Sequence, residues 1–255
     1  MRSHRYAILA AALLPAAAAE FELAYVGPGD SASLRGLRLG LAESNVQGEF
    51  LGIRLKLTEL ASGPPPVGAI ALFADRPGSI ADIAAAAGGR AVFNLSDESD
   101  GLRSACLANA LHVIPSARMK ADAVRQWQAR NPDGKVSAAA WHGQAVKFAA
   151  RDLNRRYLAR YGTAMDDLAW AGWFAARAVG DTLLRAPAAD GAALLAALKR
   201  ADGLDGQKGD PHSFRASGQL RQPLVLVGPA GELLGEAPVR GARGGLDSLG
   251  SSPCR

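Results

Sequence analysis

Five short apolar runs, at residues 21–26, 53–60, 67–73, 91–95 and 111–114, recur through the first half of the chain with loops and helix-patterned stretches between them. This rhythm constrains the fold more than any other feature, because strands that alternate with helices are the pattern of βαβ units and a parallel sheet. Run 21–26 ends at Gly27-Pro28-Gly29, and Ser31 or Ser33 can cap the amphipathic stretch carrying Leu34, Leu37 and Leu41. Run 53–60 alternates Ile53, Leu55 and Leu57 with Arg54, Lys56 and Thr58, the period of a half-buried strand. Run 67–73 is continuously apolar, as a central parallel strand would be, and leads through Asp75-Arg76-Pro77-Gly78-Ser79 into a helical segment. Pro115-Ser116 follows the fifth run, and Ser116 can cap a helix to about Arg130. The expected fold is α/β, an open and mostly parallel sheet flanked by helices.

After Asn131-Pro132-Asp133-Gly134 the pattern changes. Residues 144–161 place Val146, Ala150, Leu153 and Tyr157 at helical spacing, and Gly162 ends the segment. Thr163 and Asp166 make a capping-box-like start to a helix reaching about Arg185, which is apolar almost all round and carries Trp170 and Trp173. Residues 191–201 predict a third helix, and a β tail follows over 213–215, 219–227 and 232–235. A hydrophobic fraction of 49% with 21% charged residues supports a buried core. The formal charge is +5, but Arg2 and Arg5 lie in a segment expected to be removed, and the rest is spread along the chain without a basic cluster, so no nucleic-acid partner is expected.

The start reads as an export signal: Arg2, His4 and Arg5 are positive, residues 6–14 are apolar, and Ala17-Ala18-Ala19 makes a small-residue cleavage site. The apolar stretch is shorter than the ~20 residues that span a bilayer. The expected organisation is a signal peptide at 1–19 and one α/β domain at 20–255, placed in the periplasm with no membrane span after signal removal. Export makes the pair Cys106 and Cys254 a candidate disulfide, with two independent thiols as the alternative.

Catalytic signals are thin. The chain has no G-x-S-x-G, P-loop, H-E-x-x-H or G-x-G-x-x-G motif, so neither an enzyme, a cofactor nor a metal site is expected. His112 lies in an apolar strand and reads as a core histidine, whereas His212 follows Pro211 in a turn and reads as solvated. Ligands of open α/β sheets sit beyond the carboxyl ends of the strands. That places any small-molecule contacts on Asp75, Ser79, Asn94, Ser96 and Asp97: helix N–H groups and serine hydroxyls can hold a carboxylate, and Asp75 or Asp97 an amine. Ordinary capping is the alternative role for the same residues, and helix N-terminal charge is the plain reading of Asp97, Glu98 and Asp100.

Several blocks carry a family resemblance. Gly40-Leu41-Ala42 and the turn from Asn45 to Phe50 resemble the first helix of type 1 periplasmic solute-binding proteins of the branched-chain amino acid and amide class. Phe93-Asn94-Leu95-Ser96, Ala105-Cys106-Leu107-Ala108-Asn109, His112-Val113-Ile114-Pro115-Ser116 and Ala140-Trp141-His142 are more specific. With Ser213-Phe214-Arg215, Gly218-Gln219-Leu220-Arg221-Gln222-Pro223, Leu246-Asp247-Ser248-Leu249-Gly250 and Cys254, they look like the subgroup encoded with pyrroloquinoline quinone (PQQ)-dependent alcohol oxidation. The resemblance implies a non-catalytic solute-binding component with an ABC permease as partner. An accessory protein docking on a quinoprotein dehydrogenase or its cytochrome is the other reading. Such proteins have two lobes, whereas here residues 131–136 run straight into the block at Ala140, so most of the second lobe is expected to be missing and hinged trapping of a solute with it. First-lobe loops would then face water, with Trp141, Trp170 or Trp173 near them unless, as their apolar helix suggests, the latter two are core.

Overall fold

The computed structural model describes residues 18–250 and 254, so the expected signal lies almost wholly outside the described residues. Elements β1 (Ala19–Val26), α1 (Ala32–Leu51), β2 (Ile53–Leu60), β3 (Ala71–Ala74), α2 (Ile80–Ala86), β4 (Ala91–Asn94), α3 (Asp100–Ser104) and β5 (Ala110–His112) follow in order. Their five strands form one sheet in the order β2-β1-β3-β4-β5, with every pairing parallel. Alternation decides which side chains go to which face. Leu23, Tyr25, Ala71, Phe73, Ala91 and Phe93 point into the larger core, while Ala24, Leu72, Ala74 and Val92 meet Ile80 and Ala84 of α2 on the other face. The third strand is shorter than its apolar run, because Val67 stands almost fully exposed ahead of it.

Ser31 caps α1 by accepting from the Leu34 N–H, and Gly52 ends it in a left-handed conformation. The chain continues through α4 (Ala117–Gln128), β6 (Ser137–Ala139), α5 (Ala150–Tyr161), α6 (Asp167–Arg185) and α7 (Gly191–Arg200). Helix α5 begins later than the sequence pattern suggests, since Phe148 just before it takes a positive φ of 55° that a helix cannot contain. Asp166 is itself the cap of α6, accepting from the Ala169 N–H, in place of the box with Thr163. Trp170 and Trp173 are both core residues.

Helices α1 and α6 are in backbone contact. A methyl group on Gly36 would fall on the carbonyl oxygen of Ala169, one on Gly172 on the carbonyl oxygen of Ser33, and one on Gly40 at 2.7 Å from the carbonyl oxygen of Trp173. The indole N–H of Trp173 donates to Glu43 Oε2 at 2.9 Å, a polar tie across the same seam.

The β tail divides where the sequence pattern reads one run. Strands β7 (Leu204–Asp205), β8 (Pro211–Phe214) and β9 (Leu220–Arg221) form an antiparallel ribbon, and β10 (Leu224–Val227) and β11 (Leu233–Ala237) join β6 in a second sheet, ordered β11-β10-β6. Pro223, which has no N–H to continue a ladder, stands at the division. Met119 and Ala123 of α4 cover the second sheet together with Leu249 of the tail. The ribbon closes the β5 edge of the parallel sheet: the His112 N–H donates to the Gly218 carbonyl at 2.7 Å. Gly218 has φ +76°, and a side chain there would strike the Ala110 carbonyl.

Cys106 and Cys254 are joined in a disulfide across 148 positions, with Cα atoms 5.8 Å apart. The bond ties the tail to the end of α3, and the Gly250 N–H donating to Asp122 Oδ2 at 2.8 Å ties it to α4. Two outcomes are expected in denaturant titrations. Gly172→Ala costs about 1–3 kcal/mol by overpacking, while Gly29→Ala, whose added methyl meets nothing within 4 Å, stays within about 0.5 kcal/mol. Replacing both cysteines by serine costs at most about 5 kcal/mol, the chain-entropy value for so long a loop.

Candidate functional site

The carboxyl ends of β1, β3 and β4 carry two polar clusters. In the first, Asp75 is buried, with its Oδ2 2.9 Å from the Tyr25 hydroxyl and accepting also from Ser33 Oγ. The Tyr25 oxygen lies 2.7 Å from Ser31 Oγ, so the network reaches the cap of α1. Burial pushes the Tyr25 phenol well above its ordinary pKa, aided by the negative charge of Asp75 and opposed by the Ser31 bond. Gly27 must be glycine for this arrangement, because a Cβ would lie 2.6 Å from the Tyr25 hydroxyl.

In the second cluster Asn94, fully buried, accepts from the Ser96 and Asp97 N–H groups at 3.2 and 2.9 Å and donates to the Asp97 carbonyl at 2.7 Å. The Asp97 carboxylate accepts from the Gly78 N–H at 2.9 Å and the Ser99 N–H at 2.8 Å, so it stitches the loop after β3 to the loop after β4. Burial would raise its pKa, but these bonds and nearby Arg103 outweigh that and hold it below the usual carboxylate value.

All five residues expected to contact a ligand therefore gather at one end of the sheet, in unequal states. Asp75 and Asn94 are buried and occupied by internal bonds, whereas Ser79, Ser96 and Asp97 are half-buried. Ser79 begins α2 without a side-chain capping bond, and the Ser96 hydroxyl is buried with no partner among the described residues. Glu98 and Asp100 have structural roles: Glu98 pairs with Lys120 at 2.7 Å, and Asp100 accepts from the Arg118 N–H at 3.1 Å.

Next to this end lies a feature outside the five expected residues. An open concavity of about 520 Å³ is lined by Trp141, His142, Gln144, Met165, Asp166 and Asp167, among others, and by none of the five expected residues. Asp167 joins its wall to the loop after β4, because one oxygen accepts from the Trp141 N–H at 2.8 Å and the other lies 3.4 Å from the same Lys120 ammonium that binds Glu98. The local signals were Asp166 as a helix start and the block Ala140-Trp141-His142, whose Trp141 was expected near the open loops; the bridge through Lys120 joins positions far apart in sequence and has no pattern to read.

His112 is a core histidine, as its strand suggested, but His212 is fully buried, not solvated. It lies within β8 with its ring beside Phe174 and Trp170, at centroid separations of 5.5 and 6.1 Å. Asn94 Nδ2 approaches His112 Nδ1 at 3.1 Å; since an amide nitrogen donates, Nδ1 accepts and the ring proton is on Nε2. Burial, with the positive charge of Arg103 for His112 and of Lys208 for His212, pulls each imidazole down to about 3. Among the described residues no group of three or more His, Cys, Asp or Glu side chains is placed to hold a metal ion.

No protein-family model and no curated protein matches the chain. Solved structures do. An ABC transporter substrate-binding protein from Desulfitobacterium hafniense superposes with a TM-score of 0.73 at 14% identity, over 84% of this chain and 99% of that one. The fold is that of the type 1 periplasmic binding proteins. The leucine-, isoleucine-, valine-, threonine- and alanine-binding protein of Brucella ovis, in its closed conformation, matches at 0.64 and 14% over 83% of this chain and 90% of its own. The branched-chain amino acid transporter substrate-binding protein of Streptococcus pneumoniae, in complex with isoleucine, matches at 0.66 and 10% over 86% and 98%. At these identities the likeness is one of fold. No helix among the described residues is long and apolar enough to cross a membrane.

The two histidines set a pH dependence. Each titrates near 6.5 when unfolded and near 3 when folded, so below pH 6.5 the unfolded chain binds the extra protons. Their contribution to stability is complete above that pH and is lost as the pH falls towards 3, by about 1.4 kcal/mol per pH unit for each histidine. Urea titrations at a series of pH values should show this slope, and His112→Gln should remove about half of it.

Proposed function

We propose that the chain is a periplasmic solute-binding component of the ABC-importer type, exported by the segment at 1–19 and working without catalysis. The observation that carries this reading is the fold it shares with substrate-binding proteins, one of them in complex with isoleucine. Ser79 and Asp97 are the ligand-facing residues, Ser96 lies beside them with its hydroxyl buried, and Asp75 and Asn94 hold the two loops that carry them. Because Asp97 already occupies the Gly78 N–H, a solute's carboxylate would have to use the Ser79 hydroxyl and the remaining amides, and reaches the buried Ser96 hydroxyl only if the loop shifts. The residues at 93–116 and the tail blocks support a finer reading, in which the solute belongs to PQQ-dependent alcohol oxidation.

The same reading includes a shortened second lobe. The three-stranded sheet β11-β10-β6 with α4 is small beside the five-stranded one, so full enclosure of a solute needs another protein as the opposite wall. One observation favours the alternative of an accessory protein docking on a quinoprotein dehydrogenase or its cytochrome. Exposed Val146, Leu233 and Leu234 line a groove of about 220 Å³ along the edge strand β11, and exposed apolar surface of that kind suits a protein partner.

A thermal-shift screen with branched-chain amino acids, short alcohols and aldehydes, and PQQ should raise the melting temperature for one class, and replacing Ser79 and Ser96 by alanine should weaken that ligand. Unchanged affinity in the double variant removes these loops as the site. Solution scattering should show a particle that keeps its dimensions when the small molecule is added, and contraction of a bilobed envelope would defeat the shortened-lobe reading.

A further inference from the structure

A carboxylate accepts hydrogen bonds and donates none, so a loop can hold one only through N–H or O–H groups that have no other acceptor. The loops at the end of the sheet have spent most of theirs. After β3 the Gly78 N–H donates to Asp97 Oδ2 at 2.9 Å and the Ser79 N–H to the Arg76 carbonyl at 3.1 Å. After β4 the Ser96 and Asp97 N–H groups both donate to Asn94 Oδ1, and the Ser99 N–H donates to Asp97 Oδ1 at 2.8 Å. Asp97 therefore takes, from inside the chain, donors of both loops that a solute's carboxylate would need.

Asp97 is fixed in that position and keeps its charge. The Asn94 amide and the Arg103 guanidinium both donate to its main-chain carbonyl. Burial opposes ionisation, but the N–H bonds and Arg103 outweigh it, so the carboxyl is charged at neutral pH. The neighbouring cations are turned elsewhere. Arg103 is buried with other donors on Gln219 and the Ile114 carbonyl, Lys120 lies between Glu98 and Asp167, and Arg76 donates to the Ala61 carbonyl at 2.6 Å. An anion approaching this end meets Asp97, Glu98 and Asp100, and like charges brought together cost affinity.

We propose that Asp97 is the specificity-determining residue of this end of the sheet: it excludes solutes that carry a carboxylate and admits small primary amines. The inference rests on the solute-binding reading and narrows it, setting free amino acids aside. Two separate features carry it. The amides that would hold a carboxylate are occupied, and the charge that occupies them is negative. An ammonium brings donors and positive charge to a ledge whose half-buried groups, the Asp97 carboxylate and the Ser79 hydroxyl, can accept. A group that repels one class of solute separates ligands as effectively as a contact made to the other.

Calorimetric titration of the protein with leucine and with 3-methylbutylamine, which is leucine without its carboxylate, tests this. The amine should bind more tightly by about fivefold or more, the factor for one contact between unit charges in water. Asp97→Ala, which frees the Gly78 and Ser99 N–H groups and removes the charge, should reverse that order. Asp97→Asn, which leaves an acceptor oxygen on the loop, should weaken the amine by about the same fivefold. Leucine bound by the native protein as tightly as the amine, or an order unchanged in Asp97→Ala, overturns the inference and leaves the solute-binding reading standing. Binding of neither compound to any of the three proteins overturns that reading at these loops and the inference with it.

Discussion

The fold rests on the direct contact between the backbones of α1 and α6. Gly36 and Gly40 on one helix and Gly172 on the other bring main chain against main chain. Helix α1 follows the first strand and α6 comes after the chain has left the parallel sheet and returned. The seam therefore holds the late helices against the early sheet, and van der Waals packing at that distance is lost to any side chain larger than hydrogen. Trp170 and Trp173 reach into the core from α6, so the aromatic stack around His212 and Lys208 inherits its position from the glycines.

A second consequence concerns how the loops beyond the sheet are held. The Arg103 guanidinium is buried, and its donors go to the Ser99 and Ile114 carbonyls at 3.1 and 2.8 Å and to Gln219 Oε1 at 2.8 Å. Burial draws its pKa down to about 10, which leaves it charged at neutral pH. Gln219 in turn donates to the His112 carbonyl at 3.1 Å. One cation thus ties the loop after β4, the end of β5 and the β tail, and the sheet end that carries Ser96 and Asp97 is a stiff ledge.

The parallel sheet was legible because each strand announces itself locally, through Ile53, Leu55 and Leu57 alternating with charges or through the apolar run into Phe73, with capping serines at Ser31 and Ser116 after two of them. The small second sheet was not. Strand β6 is three residues, Ser137–Ala139, with no periodicity to detect, and it pairs with β10, which lies far along the chain. His212 misled for a related reason: Pro211 signals a turn, and only the aromatic rings of α6 folded over it make the position internal. Of the candidate site, the loops could be read from the strand ends. Which of their polar groups were already spent on one another depended on contacts such as that of Asp97 with the Gly78 N–H, between residues that neither motif nor spacing links.

The two margins of the five-stranded sheet are finished in different ways. At β5 the margin is closed by chain, where Gly218 lays its carbonyl on the His112 N–H. At β2 the Asn45 amide of α1 covers the outer rim at Leu55, accepting from its N–H at 2.8 Å and donating to its carbonyl at 3.0 Å, and Arg54, Lys56 and Glu59 project beside the rim, with Lys56 held to Glu20 at 2.5 Å and Glu59 to Arg38 at 2.6 Å. Charged side chains along an open margin discourage the strand of another molecule from adding to it. That defence is electrostatic and weakens as added salt shortens the Debye length. Of the two margins of this sheet, β2 is therefore the one whose protection depends on salt.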